Sequence, residues 1–175
     1  MVFGTRISKI SEENAVSGMS AMNTVPPSGT KARVPFRAGS LAGDLSSLET
    51  LRLAGSRCRD CGVSFLGERH RCENCSSKNI VHEVFAAEGM VYTYTIQRHP
   101  PPQPNSLPSP WSPRPLAWID LDGNGPRVLG PIGCDVDEVK IGSRVRLVCD
   151  VSWTDGEGHE VVAYKFVIAD QATER

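Results

Sequence analysis

Four cysteines in the stretch CRDCGVSFLGERHRCENC fall as two C-x-x-C pairs, Cys58 with Cys61 and Cys72 with Cys75, separated by ten residues. In a C-x-x-C turn the two thiolates converge on one side of a tight loop. Each pair then supplies half of a tetrahedron, and the tongue between the pairs folds as a hairpin. Four thiolates leave no coordination position open, so the expected centre is one structural Zn2+ per chain, closed to substrate. Iron on the same four ligands, or a redox or disulfide set, are the alternatives that this spacing admits. Gly62, directly after Cys61, suits the positive-φ corner that metal knuckles use, and Ser76, after Cys75, suits it less. His70 lies two residues before Cys72, but the ligand set is already complete, so a surface or anion-contacting role is expected for it.

Little remains for covalent catalysis. Cys134 and Cys149 are the other two thiols of the chain. Cys149 sits among valines in a strand-like run and reads as a small buried hydrophobe; Cys134 lies in a turn, and neither has a histidine nearby in sequence.

The chain of 175 residues carries 13 prolines and 16 glycines at 39% hydrophobic content, so turn, loop and linker are expected to occupy much of it. No apolar run near the start reaches signal-peptide length, and none later reaches membrane-spanning length. Together with cysteines spaced for metal, that predicts a cytoplasmic setting without a membrane. Net charge is −1, distributed as +2 over 1–56, +2 over 57–78 and −5 over 79–175. An acidic C-terminal region argues against nucleic acid as partner, because that affinity comes mainly from neutralising phosphates. A single-stranded nucleic-acid module, stacking bases on Tyr92, Tyr94 and Trp118, is nevertheless the alternative reading.

The elements that must position these groups follow in three parts. Residues 1–43 lack periodicity and read as a flexible or partner-wrapping arm, with Phe36 among its few apolar anchors. Residues 44–79 read as a short helix, from an Asp44 N-cap through Leu45, Leu48, Leu51 and Leu53 to Gly55, followed by the ribbon. Residues 80–175 read as a five- to six-stranded Greek-key barrel of OB type, with a meander sandwich as competitor. Expected strands are two within 80–98 broken at Glu88-Gly89, then LAWIDLD, PRVLGPI, RVRLVCDVSW and HEVVAYKFVIAD. Asp135 and Glu138 stand in capping-box relation. Between strands, residues 99–115 hold eight prolines and cannot carry a ladder, so they form a long excursion. Trp111 in that loop, with Arg114 beside it, is a candidate partner anchor.

In this order, the ribbon GSRCRDCGVSFLGERHRCENC, the strand from Gly89 to Thr95, the Pro-rich loop, the P-L-A-W-I-D-L strand at Pro115 to Leu121 and GCDVDEVKIGSRV at Gly133 to Val145 resemble a family of thiolase-associated proteins. Members pair a rubredoxin-like zinc ribbon with an OB-fold barrel. Leu66-Gly67 departs from a Pro-Pro pair common in that family, and Ser76 from a glycine. The resemblance implies a non-catalytic subunit that assembles with a thiolase-like catalytic chain and helps shape its coenzyme A thioester site. Coenzyme A carries phosphates and an adenine, so a contacting surface should offer guanidinium and aromatic groups. Phe65, Arg69, His70 and Arg71 on the tongue are the candidates.

Overall fold

A computed structural model of the chain describes residues 31–100 and 110–169. The 1–30 part of the expected arm and the centre of the Pro-rich loop lie outside the described residues. Among the described residues ten strands run in chain order: β1 Arg33–Pro35, β2 Leu41–Ala42, β3 Arg52–Cys58, β4 Ser64–Leu66, β5 Ile80–Val84, β6 Glu88–Gln97, β7 Arg114–Leu121, β8 Arg127–Pro131, β9 Arg144–Thr154 and β10 Glu160–Ile168.

The C-terminal strands form the barrel. β6 pairs antiparallel with both β7 and β9, β7 with β8, and β9 with β10. Ile132, just past β8, bridges Phe166 of β10 in parallel, and the Gly133 N–H donates to the Phe166 carbonyl at 2.7 Å. The ring therefore closes as β6-β7-β8-β10-β9, the strand order of an OB-fold barrel. Alternation explains the choice of face. In β7, Ala117, Ile119 and Leu121 are buried while Trp118 between them is 44% exposed. Val91, Val128, Val145, Val162 and Phe166 fill the interior with them. The segment after β8 folds as turns, with the Asp135 N–H donating to the Glu138 carboxylate at 3.2 Å, and Val139 joins the core.

The helix expected over residues 44–54 is not formed. A single 3-10 turn at Leu48–Thr50 leads straight into β3, which takes β5 on one edge and β2 then β4 on the other. Leu51 and Leu53 are 2% and 0% exposed; spaced two apart, they face the core as strand residues do. Pairing on two edges satisfies the β3 backbone better than an isolated helix of three turns could. β5, expected within the barrel, belongs instead to this ribbon sheet. β1, expected to be arm, pairs in parallel with β10, where the Arg33 Nε donates to Glu160 at 3.1 Å. Among the described residues no helix is long and apolar enough to cross a membrane.

Candidate metal centre and adjoining groove

The two knuckles repeat one backbone pattern. The Cys58 carbonyl accepts the Gly62 N–H at 2.9 Å and the Cys72 carbonyl accepts the Ser76 N–H at 2.9 Å. The Cys58 N–H donates to Val63 at 2.9 Å and the Cys72 N–H to Ser77 at 2.8 Å, so the halves are related as if by a local two-fold. Each half turns through a left-handed residue, Gly62 at φ 74° and Ser76 at φ 59°. A serine there carries a steric cost of about 1–2 kcal/mol that glycine escapes. Glycine also gives up more chain entropy on folding, so we expect Ser76→Gly to stabilise the metal-loaded protein by a net ~0.5 kcal/mol in denaturant titration.

All four sulfurs lie within 4.8 Å of one another, Cys58 to Cys75 at 3.6 Å and Cys61 to Cys72 at 3.5 Å. A tetrahedral ion with metal–sulfur bonds of about 2.3 Å needs edges of about 3.8 Å, so the set fits such an ion. All six cysteines are free, and these separations are well beyond the ~2.05 Å of a disulfide, so the four sulfurs are arranged here as thiols. The surroundings act unevenly on the thiols. The Val63 N–H and the Asn74 side chain pull Cys61 down to about 6. The Ser77 N–H acts to lower Cys75, yet the neighbouring sulfurs, Cys61 first, then Cys58 and Cys72, together with partial desolvation push it up to about 12. Four thiolates at this spacing repel one another, and a divalent cation is what allows them to ionise together. His70 is exposed and stands outside the cluster.

Between the ribbon and the barrel runs a groove of about 540 Å³. Phe65, Leu66 and Arg69 form one wall, Trp118, Arg127 and Leu129 the other, with Phe36, Arg37 and Tyr164 at the end. The groove thus gathers Phe65 and Arg69 from the tongue and leaves out His70 and Arg71. Arg71 turns back to donate to the Ser76 carbonyl at 2.8 Å, closing the second knuckle. Arg69 is placed by Ser56: its N–H donates to the Ser56 hydroxyl at 2.9 Å, which itself donates to the Gly67 carbonyl at 3.1 Å. The Arg69 Nε pairs with Glu73 at 2.6 Å. On the opposite wall Arg127 pairs with Asp120 and lies over the Tyr92 ring at 3.3 Å from its centroid. Trp118, Arg127, Arg37 and Tyr164 were not anticipated for this site. The outward position of Trp118 in the alternation of β7 was the available signal.

The anchors expected for a partner are dispersed. Phe36 packs edge-on against Tyr164 at 5.3 Å in the groove. Trp111 folds back at the base of its loop, its Nε1 donating to the Arg98 carbonyl at 3.0 Å, with the Arg114 guanidinium 5.1 Å from its ring centroid. Tyr92, Tyr94 and Trp118 are 52%, 37% and 44% exposed. Burial pushes Cys149 up to about 11 and also raises Cys134, so both stay protonated near neutrality.

Comparison with known proteins agrees with this layout. Residues 46–81 match the ChsH2 rubredoxin-like zinc ribbon domain and residues 83–150 the ChsH2 C-terminal OB-fold domain. A DUF35 domain-containing scaffold protein of Pyrococcus furiosus is 34% identical over 120 residues, covering 67% of this chain and 84% of that protein. A protein of the same description from Methanocaldococcus jannaschii is 32% identical over 117 residues, covering 65% and 79%. A solved structure described as an Ltp2-ChsH2(DUF35) aldolase aligns with a TM-score of 0.49 at 26% identity, covering 67% of this chain and 84% of that one. The chain belongs to the ChsH2-type DUF35 family, in which a rubredoxin-like zinc ribbon precedes an OB-fold domain.

Proposed function

We propose that this protein is a non-catalytic, zinc-binding accessory subunit of a thiolase-type acyl-CoA acyltransferase complex in the cytoplasm. It assembles with the catalytic chain and contributes to the site for the coenzyme A thioester. The observation that carries the reading is the naming of its relatives as scaffold proteins, over a stretch that contains both the four-thiolate ribbon and the barrel. The metal would be held by Cys58, Cys61, Cys72 and Cys75, and its role there is to fold the ribbon. With four sulfurs on one ion no position is open for substrate, so the metal is not a reaction centre, and this reading assigns turnover to the partner.

The groove supports the thioester part of this reading. Phe65 and Trp118 offer flat apolar faces, Arg37 offers a guanidinium group suited to phosphate, and Arg69 and Arg127 would join it by exchanging their Glu73 and Asp120 partners for phosphate oxygens. The long N-terminal arm and the GSRC knuckle resemble the small subunit of benzoylsuccinyl-CoA thiolase, and we assign a bulky aromatic acyl-CoA on that resemblance. Purification of the untagged native complex tests the proposal. A thiolase-fold chain should co-elute in fixed stoichiometry, and coenzyme A thioester turnover should require both chains. An isolated, monomeric chain that itself cleaves or condenses a thioester would overturn it.

A further inference from the structure

Arg57 immediately precedes the first metal ligand, yet its guanidinium reaches three other segments. Its Nε donates to Glu83 Oε2 of β5 at 2.6 Å, its Nη1 to the Gly62 carbonyl of the first knuckle at 3.2 Å, and its Nη2 to the Asn124 carbonyl at 3.1 Å. Glu83 Oε2 also accepts from the Ser64 hydroxyl at the start of β4, at 3.2 Å. One planar fork, with the Glu83 carboxylate it holds, therefore joins the first knuckle, β5, the start of β4 and the turn between β7 and β8. Arginine is suited to this because its donors diverge in a fixed plane; a lysine ammonium would serve the same acceptors only by turns. The pair is half-buried, at 26% and 27% side-chain exposure.

The acceptor on the barrel side is held rigidly. Gly123 and Asn124 adopt φ of 67° and 60°, and the Gly125 N–H donates to the Asp122 carbonyl at 3.2 Å, which makes a tight hairpin turn with two left-handed residues. That turn runs directly into Pro126, Arg127 and Val128, the barrel wall of the groove, and the first knuckle runs directly into Ser64, Phe65 and Leu66, the ribbon wall. Arg57 thus stands where both walls begin. Elsewhere the ribbon segment is attached by apolar packing of Leu51, Leu53 and Leu66 and by β1, which pairs with β10 and whose Arg33 donates to the Leu45 and Ser46 carbonyls; among the described hydrogen bonds, Arg57 is the one that ties the ribbon sheet to the 122–125 turn.

We propose that Arg57 is a latch through which the filled four-thiolate centre fixes the ribbon wall against the barrel wall, so that metal occupancy sets the shape of the groove. The ion fixes Cys58 and Cys61, hence the Gly62 carbonyl between them and β4. The fork carries that position across to Asn124. The inference rests on the metal reading and is independent of which enzyme is the partner.

Hydrogen exchange read by mass spectrometry on the full chain tests it, with zinc content measured on the same samples. Chelation of the wild type is expected to speed exchange over residues 121–129 at least tenfold while the distant hairpin at 155–159 is unchanged. Zinc-loaded Arg57→Gln should show the same acceleration with zinc still at one per chain, and Arg57→Lys should not restore protection. Wild-type exchange at 121–129 in the zinc-loaded Arg57→Gln protein overturns the proposal, as does acceleration of both turns alike on chelation. Should Arg57→Gln fail to retain zinc, Arg57→Met, which keeps the apolar stem and removes every donor of the fork, gives the same decision: loaded protein with wild-type exchange at 121–129 overturns the latch. A wild type that binds no metal would instead sink the metal reading itself.

Discussion

Cys72→Ser leaves the chain without its metal and without an ordered ribbon. Elemental analysis should fall from one ion per chain to less than a tenth, and the ribbon amides should collapse toward random-coil positions in the NMR spectrum. The size of the effect follows from how little else holds this region. β4 has three residues, and the two knuckles are single turns closed by two backbone hydrogen bonds each at the ligand. A structural zinc contributes about 10–16 kcal/mol in zinc-finger peptides, comparable with the whole ~5–15 kcal/mol stability of a domain. Loss of one thiolate from a closed tetrahedron removes most of that term. Cys72 is the ligand of choice because it is 2% exposed and anchors the second knuckle through both its carbonyl and its N–H. The barrel should retain its β signal, since most of the core cluster comes from β6 to β10. A variant that keeps stoichiometric metal would show that three sulfurs suffice, and the closed-site reading would fall with it.

The same contrast between local and distant causes explains what the sequence could reveal. Ligand chemistry is local: two C-x-x-C pairs and the backbone turns they impose are contained within residues 58–77, so the centre was legible from spacing. The barrel strands were legible because alternation along LAWIDLD or RVRLVCDVSW records which side faces a core, whatever that core is made of. The failures all depend on residues far away in sequence. Leu45, Leu48, Leu51 and Leu53 satisfy a helical period almost as well as a strand period, and the choice was made by pairing of β3 with residues up to Val84. β1 has three residues and exists because β10, more than a hundred positions later, offers it an edge. The groove joins Arg37, Phe65, Trp118 and Tyr164, whose meeting no local pattern encodes. Phe65 and Arg69 could be nominated from the tongue, whereas His70 and Arg71 could not be told apart from them without knowing that Arg71 closes a knuckle.

Gly55 shows how a residue can be singled out correctly for the wrong reason, and it carries the second large effect. Read as a helix stop, it lies in the middle of β3, paired with Leu66 on one side and Glu83 on the other. No left-handed backbone requires glycine here. The requirement is space: a Cβ at this position would lie 2.0 Å from the Phe65 carbonyl oxygen, 2.8 Å from the Gly67 nitrogen and 3.0 Å from the Phe65 carbonyl carbon. Every one of those atoms is backbone, so no rotamer change relieves the clash and β4 must move as a unit. Gly55→Ala is therefore expected to cost at least about 3 kcal/mol and to lower Tm by roughly 10 °C or more in zinc-loaded protein. Displacing β4 also carries Phe65 away from the groove. Gly156→Ala is the control, because nothing lies within 4 Å of its added carbon. There the loss of chain entropy in the unfolded state should leave Tm unchanged or slightly raised. Equal melting temperatures for the two variants would mean that β4 yields without penalty, and the close packing of β3 against β4 would then not be what holds the tongue.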